Sequence, residues 1–235
     1  MSGKIIAFAQ AKGGVGKSTL CANLATTFSE NASTLIIDCD PPQHSLSAWH
    51  EIRHANYEED GLNVKTADKP SELFNLLETE INNYDFILLD GPPHINPMTK
   101  AVIAVAGLVI VPLAPSPVEV WSFHEMDKLV TEATKLNPNM QSRLCWTRVR
   151  KRVKSAEYLI EDVKKAASIK PFASVLTQRV AYLDSFAEGL SVYEWTDAIA
   201  RAEVWSVHSA IQRLINKCGK PNIGKRKSIL EWSRK

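Results

Sequence analysis

The residues with the plainest chemical purpose lie near the start of the chain, in Lys12-Gly13-Gly14-Val15-Gly16-Lys17-Ser18-Thr19. Glycines at 13, 14 and 16 let backbone N–H groups converge on an anion with no Cβ in the way. Lys17 brings a point charge suited to β and γ phosphates, and the Ser18 hydroxyl is spaced to ligate Mg²⁺. Acids follow at two places. Asp38 and Asp40 stand in Asp38-Cys39-Asp40-Pro41-Pro42-Gln43, and Asp90 stands in Leu88-Leu89-Asp90-Gly91-Pro92-Pro93. Asp90 is expected to hold the water shell of a metal bound with the phosphates. For Asp38 and Asp40 the competing expectation is that they cap the next helix.

The elements that must position these groups follow from apolar patterning. Lys4–Phe8 reads as a strand, and Leu20, Leu24 and Phe28 recur at helical spacing, so the glycine loop sits between a strand and a helix N-terminus. That terminus adds unpaired N–H groups and the positive end of its dipole. Thr34–Asp38 and Phe86–Asp90 each place about four apolar residues before an acid, the pattern of a buried parallel strand with a polar carboxyl end. In open α/β sheets ligands bind outside the carboxyl ends of strands, so the loop and both acid sites are expected on one edge. Further strands are expected over Leu62–Thr66, Leu108–Leu113, Arg143–Val149 and Phe172–Leu176. Helices are expected over Ser45–Ala55, from Pro70 to Ile81, and over Val118–Leu136, Ser155–Ser168, Ala181–Glu188 and Ala198–Ile215. A polar turn is expected from Tyr57 to Gly61. The fold class is α/β, a doubly wound and mostly parallel sheet of about seven strands flanked by helices.

Composition narrows the function classes. A chain of 235 residues with 45% hydrophobic content suits one large domain with a real core. Its net charge is only +2, but residues 1–118 carry 7 Lys/Arg against 13 Asp/Glu and residues 119–235 carry 21 against 13. An anionic partner for the second half is the expectation. The densest charge is Arg148, Arg150, Lys151, Arg152 and Lys154. Four scattered cysteines without C-x-x-C spacing argue against zinc or iron–sulfur chemistry and for a reducing cytosol. The start at Met1-Ser2-Gly3-Lys4 leads straight into a strand, with no signal peptide expected.

Lys12, five residues before Lys17, turns the loop into a deviant Walker A motif, and the chain resembles the ParA/MinD family of ATPases. The D-x-D-P-x-Q segment at Asp38–Gln43 resembles switch I, and Asp90-Gly91-Pro92-Pro93 resembles a Walker B strand running into switch II. The Pro-rich Pro112–Pro117 stretch and Thr177-Gln178-Arg179 are similar to the short, ParF-type branch of partition ATPases. The resemblance spans about residues 3–215. It implies ATP and Mg²⁺ as cofactors, with Lys12 through Thr19 holding the nucleotide and Ser18, Asp38 and Asp90 serving the metal. It also implies that Lys12 acts across a dimer interface and that Asp40 orients the attacking water. The implied activity is a weak, partner-stimulated ATPase over residues 1–217, with a basic tail at 218–235. It would form an ATP-sandwich dimer, bind non-specific DNA and segregate DNA or position a large cargo with a ParB-like adaptor. Cytoplasmic, nucleoid-associated protein is the implied location. One departure from the family is Gln10-Ala11, where Asn is usual before the signature lysine.

DNA contact is expected at Arg148, Arg150, Lys151, Arg152, Lys154 and Arg179, by phosphates rather than base stacking. Two other classes share the loop. A MinD-like ATPase would need a membrane-binding amphipathic helix, for which Lys225–Lys235 with Ile229, Leu230 and Trp232 is the candidate. Metabolic P-loop enzymes such as dethiobiotin synthetase would need a small-substrate pocket that the sequence does not reveal.

Overall fold

The computed structural model describes residues 3–57 and 61–235, and the polar turn expected after Tyr57 lies partly outside them. Seven strands form one sheet in the order β3-β2-β4-β1-β5-β6-β7, and every pairing is parallel. These are β1 (Lys4–Phe8), β2 (Thr34–Asp38), β3 (Leu62–Thr66), β4 (Phe86–Asp90), β5 (Leu108–Leu113), β6 (Gln141–Val149) and β7 (Pro171–Thr177). The expected doubly wound architecture is the one observed.

The sheet is buried on both faces, and the period of two along each strand decides which residue serves which face. Ile5 and Ala7 of β1 join a core with helices α3 (Pro70–Glu80), α4 (Pro97–Val105), α5 (Pro117–Ala133) and α6 (Lys154–Ala166). Ile6 and Phe8 face the opposite core, built with α1 (Lys17–Ser29), α2 (Ser45–Asn56), α7 (Ala181–Ala187) and α8 (Ala198–Ile215). Register then aligns the functional edge. Phe8 pairs with Asp90, and Asp90 pairs with Asp38, so β1, β4 and β2 end level with one another.

Pro112 sits within β5 although proline cannot donate to a ladder. The β1 pairing stops at Ile110, so on that side no partner strand asks Pro112 for an N–H. Its carbonyl instead accepts a hydrogen bond from Gln10 Nε2 at 3.3 Å.

The segment expected as a basic tail differs in structure from that expectation. Residues 226–233 form α9, which packs on α4 and α3. Ile229 is fully buried in the first core and Trp232 lies under Lys100, whose Nζ is 5.9 Å from the ring centroid. Arg226 donates to both Glu78 oxygens at 3.0 and 3.1 Å and to Asn75 at 2.9 Å. The few apolar residues of this segment show no helical period in sequence, yet Ile229, with Ile223, Leu230 and Trp232 packed around it and Arg226 clamped outside, docks it. The apolar side that a membrane-binding helix would need is turned inward. Among the described residues no helix is long and apolar enough to cross a membrane.

Candidate functional site

The glycine loop runs from the end of β1 into α1, and its shape depends on Gly14 at φ +76° and Gly16 at φ +92°. Both lie in the left-handed region, where a side chain would be strained. Gly16 is also the residue before the helix, so the first N–H groups of α1 have no side-chain cap and remain available to a ligand. Lys17 is 6% exposed, and its Nζ rests 3.5 Å from the Lys12 carbonyl. Burial lowers its pKa, with the charges of Asp90 and Asp40 opposing. A buried ammonium with so poor a hydrogen bond is a cation waiting for an anion.

Asp90 completes the pair. It is fully buried, and neither carboxylate oxygen has a hydrogen-bond partner among the described residues. Burial pushes its pKa up to about 7, with the nearby Ser18 hydroxyl and Lys17 pulling down and Asp38 and Asp40 pushing further up. Ser18 therefore lies beside Asp90 without a bond of good geometry between them. An orphaned carboxylate next to a hydroxyl and a phosphate loop fits Mg²⁺, which takes one or two protein ligands together with phosphate oxygens and water. Among the described residues no three His, Cys, Asp or Glu side chains gather into a metal cluster, and this cation needs none.

Asp38, expected to serve the metal, is fully buried and has both oxygens held by backbone N–H groups. Its Oδ1 accepts from the Asp40 N–H at 3.1 Å, and its Oδ2 accepts from the Leu46 and Ser47 N–H groups at 3.0 and 3.3 Å. Leu46 and Ser47 lie in the first turn of α2, so Asp38 ties that turn to the loop of Asp40, a capping part that the competing reading expected of both aspartates. Its oxygens are engaged while those of Asp90 stand free. Asp40 is less buried, and burial raises its pKa against the pull of Lys17. Lys12 is exposed at the rim of the loop. It borders a hollow of about 700 Å³ with Gly13, Pro93, His94, Ser122 and Glu125. His94 adopts φ +68°, and its N–H donates to the Ala11 carbonyl at 2.7 Å, tying the turn after β4 to the loop.

A cavity of about 890 Å³ opens on the other side of the loop. Gly16 just before α1 and Leu20 within it border the cavity, with residues 147–151 at the end of β6 and 176–180 at the end of β7 as walls. This is where most of the residues expected to bind DNA are found. Arg148 Nη1 donates to the Gly14 carbonyl at 2.8 Å, and Thr147 Oγ1 donates to the Val15 carbonyl at 2.9 Å. Arg150 Nε donates to Gln178 Oε1 at 2.6 Å, and Arg179 pairs with Asp197 at 2.6 Å. Three of the six are thus occupied around the cavity. Lys151 also borders it, exposed like Arg152 and Lys154, and these three form no salt bridge among the described residues.

A loop that cradles anions, an orphaned acid facing it and a cavity beside it are features of a nucleotide site. The model of the CobQ/CobB/MinD/ParA nucleotide binding domain matches residues 6–196. The chain belongs to that family. Maintenance of carboxysome distribution protein A of Halothiobacillus neapolitanus is 24% identical over 191 residues, covering 80% of this chain and 86% of that protein. The chromosome-partitioning ATPase Soj of Thermus thermophilus is 31% identical over 135 residues, 46% of this chain and 53% of Soj. Among solved structures, apo McdA superposes with a TM-score of 0.76 at 19% identity over 88% of this chain and 99% of that one. MinD of Aquifex aeolicus gives 0.71 at 17% identity over 89% and 97%. These structural likenesses speak for the fold.

Two residues of the site were not singled out for it from the sequence. Gln10 is fully buried, and its Oε1 accepts from the Ala11 N–H at 2.8 Å while Nε2 reaches Pro112. The departure at Gln10-Ala11 therefore still supplies an amide that pins the loop's entry. Thr147 stands 132 residues from the carbonyl it holds, a distance that no local pattern spans.

Proposed function

We propose that the protein is a positioning ATPase of the ParA type, in which ATP joins two copies and the joined form carries the function. The observation that carries this reading is the unpartnered, buried Asp90 carboxylate set against Lys17 and Ser18 at the start of α1. Lys17 and the loop N–H groups bind the phosphates, while the cavity next to Gly16 and Leu20 takes the base. Ser18 and Asp90 hold Mg²⁺, which when bound neutralises charge on the phosphate oxygens. Asp38 fixes the loop that carries Asp40, and Asp40 orients the water for attack. Lys12, exposed at the rim, reaches the nucleotide of a second copy.

The kinship with a carboxysome-distribution protein and with Soj supports a role in moving a large cargo or DNA with an adaptor. Of the six basic residues expected at DNA, the exposed Lys151, Arg152 and Lys154 form no salt bridge among the described residues and would meet its phosphates. Light scattering with ATP and Mg²⁺ tests the core of the proposal. Wild type should double its mass with ATP and not with ADP, whereas Lys12→Ala should bind ATP and stay monomeric. A Lys12→Ala protein that dimerises and turns over ATP at the parental rate would refute the assignment.

A further inference from the structure

The turn of residues 189–194, Gly-Leu-Ser-Val-Tyr-Glu, belongs to neither the phosphate loop nor the acid loop, yet it grips the helices that follow both. Asn23 of α1 is buried, and its Oδ1 accepts from the Val192 N–H at 2.8 Å while its Nδ2 donates to the Thr19 carbonyl at 2.7 Å. Trp49 of α2 donates through Nε1 to the Leu190 carbonyl at 3.2 Å. Arg53, one turn further along α2, donates to the Gly189 carbonyl at 3.1 Å and to both oxygens of Glu194, at 3.0 and 2.6 Å. Glu194 Oε2 also accepts from the Ser191 N–H and hydroxyl. The approach is close enough that a Cβ on Gly189, which sits at φ +73°, would lie 2.5 Å from the Arg53 nitrogen.

The side chains of Arg53 and Glu194 are only 7% and 28% exposed. A forked guanidinium on a carboxylate, largely out of water, fixes direction as well as distance. What it fixes is the relation between two rods. Helix α1 begins at Lys17 and Ser18, and α2 begins directly after the loop of Asp38 and Asp40. At 1.5 Å per residue, Asn23 and Arg53 sit about 9 and 12 Å along their helices from the reacting ends. A helix over that length is stiff, so a shift at the grip is delivered to its N-terminus.

We propose that the Arg53–Glu194 pair is a positioning device for hydrolysis: it sets the spacing of α1 and α2 and thereby places Asp40 against the phosphates held by Lys17. The inference rests on the reading that Asp40 orients the attacking water. A displacement of about 1 Å at such a centre can cost on the order of 100-fold in rate. The phosphate loop is anchored independently through Thr147 and Arg148, so nucleotide affinity should be spared.

The test uses the full chain with ATP and Mg²⁺, reading kcat, nucleotide Kd and melting temperature separately. Arg53→Met should lower kcat at least about tenfold while Kd changes by less than about threefold. Arg53→Lys, which keeps the charge and loses the fork, should fall between Arg53→Met and wild type, and it carries the test should Arg53→Met not fold. The reversed pair, Arg53→Glu with Glu194→Arg, should recover part of the rate lost by Arg53→Glu alone. Parental kcat in Arg53→Met or Arg53→Lys with a lowered melting temperature would overturn the inference and leave the pair a structural anchor. Asp40→Ala, assayed alongside, separates the two failures. Hydrolysis surviving Asp40→Ala overturns the water-orienting reading and this inference with it. Loss of turnover in Asp40→Ala with full turnover in both Arg53 variants overturns the inference alone.

Discussion

Lys17 and Asp90 are ordinary residue types made unusual by where they stand. Each is buried beside an opposite charge with no hydrogen bond that satisfies it, an arrangement that costs stability without a ligand. The same arrangement is useful when phosphates arrive, since a desolvated ammonium interacts more strongly than a solvated one. Removing the ammonium should therefore act on binding above all. Lys17→Ala is expected to weaken nucleotide binding by about 100-fold or more, roughly 2.8 kcal/mol at 1.4 kcal/mol per decade. Titration with a fluorescent ATP analogue measures this, and parental affinity in the variant would discard the phosphate-loop assignment. His208 offers a second residue-scale test, this time of stability. It is buried on α8 between Phe28 and Trp205, with ring centroids 4.6 and 5.2 Å away, and burial lowers its pKa from 6.5. The unfolded chain then binds the proton more readily than the folded one. The stability this group supports is present above pH 6.5 and is lost as pH falls through the lowered folded value. His208→Leu should accordingly lose less stability than wild type between pH 7.5 and 5.5 in urea titrations, and equal losses would reject the assignment.

At the scale of elements, the phosphate loop is shaped from two distant parts of the chain. Its own glycines permit the left-handed turns, but its carbonyls are held by the end of β6, where Thr147 and Arg148 donate to Val15 and Gly14. Strand β6 reaches that edge because it pairs with β5, which pairs with β1. Thr147→Val keeps the side-chain shape and removes one buried hydrogen bond. The cost should be about 1 kcal/mol, a fall in melting temperature of roughly 2–4 °C, with a matching loss of nucleotide affinity. An unchanged affinity with a lowered melting temperature would mean that the loop keeps its shape without β6.

At the scale of the whole molecule, the excess of positive charge in residues 119–235 is divided by the fold. Arg148, Arg150 and Arg179 are engaged by Gly14, Gln178 and Asp197, while the exposed Lys151, Arg152 and Lys154 form no salt bridge among the described residues. Retention on random DNA should therefore depend on the second set and fall steeply with salt, by about 0.9 log units in affinity per log unit of salt for each phosphate neutralised. Lys151→Glu with Arg152→Glu should abolish retention while ATP-driven mass doubling persists. Retention equal to wild type would move the surface elsewhere.

Much of this was already determined by the sequence. The continuous apolar run Ile5-Ile6-Ala7-Phe8, the apolar runs ending in Asp38 and Asp90, and the glycine loop between strand and helix specify a parallel sheet with its chemistry on one edge. Local interactions impose these patterns, so they are written locally. The ends of most elements were legible for the same reason, since glycine, proline and polar clusters stop helices and strands where they stand. What the tertiary structure alone decided depends on partners far away in the chain. Asp38 and Asp90 look alike in sequence, but one has its oxygens filled by the N–H groups of Asp40 and the start of α2 and the other is left bare. Arg148 and Lys151 look alike, but only the first finds a carbonyl of the phosphate loop across 134 residues. The segment after Cys218 looks like a loose basic tail until α3 and α4 offer a slot for Ile229. The sequence states which charges and apolar groups exist, and the packing of the sheet and its helices decides which of them are satisfied and which are left to act.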